Sequence, residues 1–500
     1  MTKILESFHG LLWGAPALVL ILGVGFYLSI RTGFAQLRFF PQAVRDFISK
    51  FRRRDISEGV SPFQALCTAL AATVGTGNLV GVAGAICLGG PGAVFWMWIC
   101  GILGMVTKYA EVVLAVCFRQ RIGNEYLGGP MYIISRGLGK RWQWMACTYS
   151  FFGIIAAFGV GNATQINAVV AGINGVLSRF GGEETRLQNL IMGFALALLV
   201  ALMFLGGARR IGKTAEMLVP FVSGMYILLC VGVLLVKWYR IPVAFSMIVQ
   251  GAFSPRAVTG GMLGSAFQAL KVGCSRGVFT NEAGMGTASI AHASADTKHP
   301  AEQGLMGIME VFLDTILICT LTALVILVSD VTVSYGRDAG GALTFAAFSS
   351  VYGSWISLFL AVSLCCFAFA TVLGWGLYGA RCAQFLFGGK AWTSFAMLQT
   401  VTVVLGAVLK TETVWLLAET VNGLMAIPNL IALALLSREV VRLTNEYTEK
   451  TGASVAGGGN YANFHQCKPL RAFSHAEIPS SGSRCQEGRK ENLSPEHWPA

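Results

Sequence analysis

The chain has 500 residues, 54% of them hydrophobic and only 12% charged, with a mean hydropathy of +0.63. An average soluble domain carries about 25% charged residues, so a soluble globular protein is excluded and a polytopic membrane protein is implied. The net charge of +12 comes without an aromatic-basic patch, which argues against nucleic acid as a partner and leaves orientation in a bilayer to explain it.

Residues 1–10 carry only Lys3 and Glu6, and the apolar run at 11–30 is long enough to span. It reads as a retained first span, not a cleaved signal peptide. Basic residues follow it directly, which places the N-terminus outside. Apolar runs then predict spans at 62–90, 92–117, 144–178, 187–207, 214–236, 259–294, 305–329, 352–386, 391–409 and 413–436, eleven in all. The thirteen cysteines are scattered singly apart from Cys365-Cys366, without metal-ligand spacing, and read as small apolar fillers. With this topology the inside loops hold 21 Lys and Arg, among them Arg31 to Arg54, and the outside loops eight. The positive-inside rule is obeyed throughout, and the C-terminus is cytoplasmic.

The span at 62–90 is interrupted by Gly75-Thr76-Gly77-Asn78. Two glycines within three residues weaken a helix by about 1 kcal/mol each. In lipid, freed backbone groups need partners, so a broken helix persists only where it lines a protein-enclosed cavity. A half-helix beginning near Asn78 directs its N–H groups and positive dipole end toward an anion. A second interruption is predicted in residues 266–295, where Gly273 and Gly277 bracket Cys274-Ser275-Arg276 and Gly284 and Gly286 follow. Lys271, Arg276 and Glu282 cost about 2.5–3.5 kcal/mol each at a bilayer centre, unless Arg276 pairs with Glu282 or they sit at a helix end.

Residues 62–236 hold five spans over 175 positions and 263–436 hold five over 174, each half opening with a glycine-interrupted helix. Five is odd, so the halves insert with opposite polarity. Paired interrupted segments at matching positions point to a secondary transporter's binding site. The expected division is 1–61, N-terminal helix and basic cytoplasmic loop; 62–236, first repeat; 237–262, extracytoplasmic connection; 263–436, second repeat; and 437–500, a disordered cytoplasmic tail. From about 445 the tail turns to Gly, Ser, Glu, Lys and His without apolar period, and VAGGGN at 455–460 opens a disordered segment.

The stretches ALAATVGTGNLVGVA and GCSRGVFTNEAGMGTASIAHASA, with EVFLDT at 310–315 and FATVLGWGLYGARC at 369–382, resemble the alanine or glycine:cation symporter family over about residues 10–440. The resemblance implies an all-α membrane protein with a LeuT-like five-plus-five inverted repeat plus one extra N-terminal transmembrane helix, in the cell (inner) membrane. It implies sodium-coupled symport of small neutral amino acids, alanine or glycine, with sodium as coupling ion and no other cofactor. A proton-coupled symporter and an amino-acid exchanger stay open as alternatives, and oligomeric state is not readable.

An amino acid is a zwitterion, so a dry site must satisfy both ends. Its carboxylate suits the N–H groups of Gly75, Thr76, Gly77 and Asn78, with Thr73 and Asn78 adding side-chain oxygens. Its ammonium suits carbonyls of unwound backbone near Gly273, Ser275 and Gly277, since glycine lets a backbone approach closely. Gln165 is a buried amide that can bond across helices; the resemblance puts it at the substrate. Trp375 shares a helix face with Thr371, and the resemblance sets it against the substrate, limiting the pocket to a small side chain. By resemblance to the fold's general sodium site, the carbonyls of Ala71 and Val74 face Thr371 and the carbonyl of Phe367. Ala370 stands where the family commonly has a hydroxyl residue, which weakens that ion site.

Lys108 and Glu111 are expected to pair along one helix face, Glu310 and Asp314 are candidate ion carriers or structural partners, and His292 is expected at an interface. No re-entrant filter or ring of like charge suggests a channel. No metal cluster, Ser/His/Asp constellation or phosphate loop suggests an enzyme.

Overall fold

Helix starts and stops follow local chemistry in the computed structural model, which describes residues 10, 12–52, 59–123, 125–178, 185–254, 266–337, 340–409 and 412–454. After α1 (Ala15–Arg31) and the amphipathic α2 (Phe40–Arg52), Ser61 caps α3 (Pro62–Thr73) by accepting from Gln64 N–H at 3.0 Å, with proline at the first helical position. A π-helical turn at Gly77–Gly81 leads into α4 (Val82–Gly89), bent by 51° from α3. Then follow α5 (Gly92–Cys117), the small hairpin β1 (Gln120–Ile122) and β2 (Glu125–Leu127), α6 (Gln143–Phe158), α7 (Thr164–Leu177), α8 (Arg186–Leu205), α9 (Gly207–Val236) and α10 (Ile241–Phe253). Thr185 and Gln188 form a reciprocal capping box at the start of α8.

The second half begins with α11 (Ala266–Asn281) and α12 (Thr287–His292). It continues through α13 (Pro300–Val311), a π-helical stretch at Phe312–Cys319, α14 (Thr320–Val328), α15 (Gly341–Tyr352), α16 (Ile356–Phe387), α17 (Ala391–Val408), α18 (Glu412–Leu435) and α19 (Ser437–Ser454). The buried centre is α5, packed against α11 and α13, with α3 against α9 and α16, and α16 against α6 and α7. Outer helices α8, α9 and α17 turn large apolar side chains outward, such as Leu198, Leu205, Phe221 and Met397. Such apolar outer faces suit lipid.

Each of the eleven apolar segments holds helix, but not all meet the length and composition of a span. Among the described residues, seven single helices and two bent pairs are long and apolar enough to cross a membrane. The described part of the first segment is one residue short of that length, and the segment at 266–292 is divided and carries Lys271, Arg276 and Glu282. The tail differs from expectation. Residues 445–454 continue α19, which docks through Thr444 on Tyr109 (3.0 Å) and Tyr447 on Gln42 (2.6 Å). The expected disordered segment from 455 lies outside the described residues.

At one end of the molecule the outer ends of the two broken helices are tied together. Val60, before α3, pairs in parallel with Ala295, beyond α12, and Asp296 N–H donates to Val60 O at 2.8 Å. Arg119 Nη1 donates to the carbonyls of Ala293 (3.1 Å) and Ala295 (2.5 Å), while its guanidinium lies 3.9 Å from the Tyr126 ring centroid.

Candidate functional site

The first interruption falls where the glycines put it. Val74 is extended (ψ 102), and the chain turns through Gly75 and Thr76 before the π-turn. A Cβ at Gly75 would lie 2.6 Å from Thr371 Oγ1, so only glycine lets the broken backbone reach α16. Asn78 holds the break from behind: its Oδ1 accepts from Gly75 N–H at 2.9 Å, and its Nδ2 donates to Asp314 Oδ1 at 2.7 Å. Asn78 N–H donates to Gly75 O at 3.3 Å, so of the first N–H groups of the new segment those of Thr76 and Gly77 belong to residues that line a cavity.

That cavity is small, about 20 Å³, room for about one water. It is lined by Thr73, Gly75, Thr76 and Gly77 from the first break, Gln165 from α7, Thr371 and Trp375 from α16, and Phe279 and Glu282 from the second broken segment. Seven of these were named from sequence. Thr76 Oγ1 donates to Gln165 Oε1 at 3.1 Å, and Gln165 Nε2 donates to Val160 O at 3.1 Å, so the amide is held across the cavity wall. Trp375 is 1% exposed, and the indole fits because residue 161 is glycine: a Cβ there would run into it. Thr371 Oγ1 donates to Phe367 O at 3.0 Å, keeping two candidate ion ligands together beside buried Ala71 and Val74.

A far larger space of about 950 Å³ lies alongside, lined mostly by small residues of α7, α15 and the start of α16, with Arg276 from α11. It shares Thr76, Gly77 and Phe279 with the small cavity. Polar groups converge in the small cavity, so the large one is its vestibule.

The second interruption falls within the expected 266–295, at Gly284 and Gly286 and not around Gly273 and Gly277. Gly273, Ser275 and Gly277 lie inside continuous α11. Their carbonyls belong to a helix, and the two glycines serve close packing: a Cβ at 273 would strike Ala93 and Trp96, and one at 277 would sit 3.2 Å from Cys100 Cβ. The chain breaks at Glu282–Gly286, where Glu282 (φ 55), Gly284 (φ 94) and Gly286 (φ 77) adopt left-handed backbone. The glycines themselves, Gly284 and Gly286, were the available signal, since glycine takes positive φ readily. None of Gly273, Ser275 and Gly277 lines the small cavity, and neither does Asn78.

Two expectations for buried charge are corrected, and for Glu282, directly after the last residue of α11, the helix-end alternative holds. Lys108 pairs with Glu310 (3.3 Å), not Glu111. Glu111 turns to the second break, its Oε1 accepting from Gly284 N–H (2.8 Å), Gly286 N–H (3.1 Å) and Asn429 Nδ2 (2.8 Å). His292 is fully buried, with Nε2 3.0 Å from Glu310 Oε2 and Nδ1 2.7 Å from Gln303 Nε2. Glu282 accepts from Thr287 and makes no ion pair with Arg276, which faces the vestibule. Spacing alone missed these partners because they lie on different helices.

With this geometry, comparison with known proteins is decisive. The family model described as "Sodium:alanine symporter family" matches residues 1–457. The chain belongs to this family. It is 41% identical over 452 residues to the sodium/alanine symporter AgcS of Methanococcus maripaludis, covering 89% of this chain and 97% of that protein. It is 39% identical over 459 residues to the probable sodium/glutamine symporter GlnT of Bacillus subtilis, covering 91% and 93%. Among solved structures it is similar to MhsT in complex with L-phenylalanine, with a TM-score of 0.50 at 11% identity, covering 78% of this chain and 98% of that one. That likeness shows a LeuT-type fold. The family member is an integral membrane transporter and not an enzyme.

Proposed function

We propose that the chain carries a small neutral amino acid, alanine or glycine, into the cell together with sodium, by alternating access around the two breaks. The observation that carries this reading is the small cavity at the first break, lined by Gly75, Thr76 and Gly77, the Gln165 amide and the Trp375 indole. The substrate carboxylate lies against the N–H groups of Thr76 and Gly77 with Gln165 beside it, and Trp375 and Phe279 bound the side chain. The cavity as it stands has room for about one water, so any amino acid must displace its walls, and because overfilling a packed site costs about 1–3 kcal/mol the smallest side chains are favoured. Sodium is taken by the carbonyls of Ala71, Val74 and Phe367 with the Thr371 hydroxyl. The vestibule opens outside, the end with Arg119 and α19 faces the cytoplasm, and the loop-charge count supports that orientation. GlnT, named for glutamine, shows why substrate size needs its own measurement in this family.

The test is radiolabelled alanine and glycine uptake into proteoliposomes, with sodium and proton gradients imposed separately. Accumulation driven by an inward sodium gradient supports the reading. Equal exchange without any gradient points to an exchanger, and glutamine outcompeting alanine overturns the size assignment.

A further inference from the structure

The connection between α1 and α3 carries a surface that the small cavity does not touch. Residues 31–52 hold five basic side chains, Arg31, Arg38, Arg45, Lys50 and Arg52, against one acid, Asp46. A helical turn at Ala35–Arg38 runs almost unbroken into α2, because Phe39 N–H donates to Ala35 O (2.9 Å) and Ala43 N–H to Phe39 O (2.8 Å). Arg38, Arg45 and Arg52 recur every seven residues, about two helical turns, and so form one row. With Arg31 they are exposed, and among the described residues none of the four forms an ion pair. Beside the row Leu37, Ile48 and Phe51 are 57%, 45% and 54% exposed. The opposite face is fixed to protein: Phe39 and Ala43 are buried, Gln36 Nε2 donates to Ser29 Oγ at 2.9 Å, and Gln42 Nε2 to Tyr447 Oη at 2.6 Å.

Charge decides what covers this face. A second copy in a two-fold contact brings the same arginine row against itself. The chain's own sequence from 455 carries five basic and four acidic side chains and so offers no excess of negative charge. A bilayer fits both halves of the surface. Arg31 closes the apolar α1, and its guanidinium lies 5.8 Å from the ring centroid of Tyr27, an aromatic of the kind that sits at headgroup level. A helix with an apolar face flanked by Lys and Arg lies in the interface plane, and the anionic lipids of a cytoplasmic leaflet attract the basic flank. The same face reaches the first broken helix. The rings of Phe51 and Phe47 have centroids 5.6 and 6.1 Å from that of Phe63, the second residue of α3. Phe40 meets Phe312, where the π-helical stretch after α13 begins, at 4.8 Å.

We propose that α2 binds anionic phospholipid, with Arg38, Arg45 and Arg52 on the headgroups and Leu37, Ile48 and Phe51 among the upper acyl chains, and that this contact sets the position of the first broken helix. Lipid holds Phe51 in place, Phe51 and Phe47 hold Phe63, and Phe63 fixes the end of α3 from which the chain runs to Gly75. The effect on transport rests on the symport reading above; the lipid contact does not.

The experiment uses full-length protein in phosphatidylcholine vesicles with and without about 30 mol% phosphatidylglycerol. Spin-labelled forms of the two lipids report how much of each is held at the protein. The wild type is expected to hold phosphatidylglycerol at least about threefold over phosphatidylcholine, with the preference falling between about 0.1 and about 1 M salt. The combined Arg38→Gln, Arg45→Gln and Arg52→Gln variant is expected to lower that preference at least about twofold, and the same three positions changed to Lys to keep it. Arg209→Gln, Arg210→Gln and Lys213→Gln together remove equal charge from exposed positions at the start of α9 and should leave it unchanged. A wild type that holds both lipids equally overturns the proposal without any variant, and so does an equal loss in the two glutamine triples. A dimer that the first triple dissolves assigns the surface to a second copy and overturns it too. Alanine counterflow is the second readout: the wild type should run at least about threefold faster with phosphatidylglycerol present, and the first triple at one slow rate in both vesicles. Equal wild-type rates with the anionic lipid bound overturn the link to α3. If alanine moves in neither vesicle, the symport reading fails, and the spin-label ratio still decides the lipid site.

Discussion

The two broken helices are built from similar residues and break by different means. In the first, glycines sit at the break itself, and the free space at Gly75 is filled by Thr371 of α16. In the second, the glycines expected to break the helix, Gly273 and Gly277, bring α11 close to α5, and the chain turns five or more residues later. There a carboxylate holds the turn: Glu111 collects the N–H groups of Gly284 and Gly286, and Asn429 donates to Gly284 O as well. A glycine within a membrane helix thus has two physical uses, close approach and positive φ. Composition does not separate them.

The largest expected effect tests the first break. Gly75→Leu and Asn78→Leu should each abolish alanine uptake, with the protein still monodisperse in detergent, because one fills the approach to Thr371 and the other removes the Asp314 tether; normal uptake by both would sink the site. Next comes the second break. Gly286→Ala must place a left-handed alanine against Pro130 and Asn429. The backbone term alone is about 1–2 kcal/mol, and the expected result is a lower melting midpoint and about a tenfold loss of uptake. The sharpest contrast is Gly277→Ala, where overpacking against Cys100 costs about 1 kcal/mol of stability but uptake should stay within about threefold. A loss as large as that of Gly75→Leu would restore Gly277 to the substrate site.

A smaller effect is expected at the ion site. Ala370→Ser restores an oxygen beside Thr371, and one hydrogen-bond-sized contact of about 1 kcal/mol should raise apparent sodium affinity about fivefold in uptake titrations. An unchanged sodium curve would remove residue 370 from the ion site. The smallest is Asp330→Asn. Exposed Asp330 is paired with Lys237 (2.8 Å) and Arg240, and these cations hold its carboxyl below the usual range. Exposed pairs contribute little, so uptake at neutral pH should stay within about twofold of wild type.

Much of the architecture was legible because the bilayer makes apolar length and charge-poor runs explicit. The first break was legible for the same reason, since two glycines within three residues and an asparagine in a charge-free run have few other uses. Gln165, Thr371 and Trp375 were placed by resemblance, and they do meet at the cavity. What stayed hidden depends on contacts between distant segments. Lys108 and Glu111 are three residues apart, yet one answers to α13 and the other to the second break. Asn78 looked like a substrate ligand because its amide is polar and central, and Asp314 claims it from 236 residues away. Phe279, which lines both vestibule and cavity, had no signal beyond being aromatic in a broken span.

The tie between Val60 and Ala295 has an energetic consequence. It consists of a single strand-like bridge and a few guanidinium–carbonyl bonds, and each such hydrogen bond contributes about 0.5–1.5 kcal/mol net. Their sum is a few kcal/mol, the gap at which a minor conformer is populated at about 0.1–10%. The tie taken by itself is therefore within thermal reach of breaking.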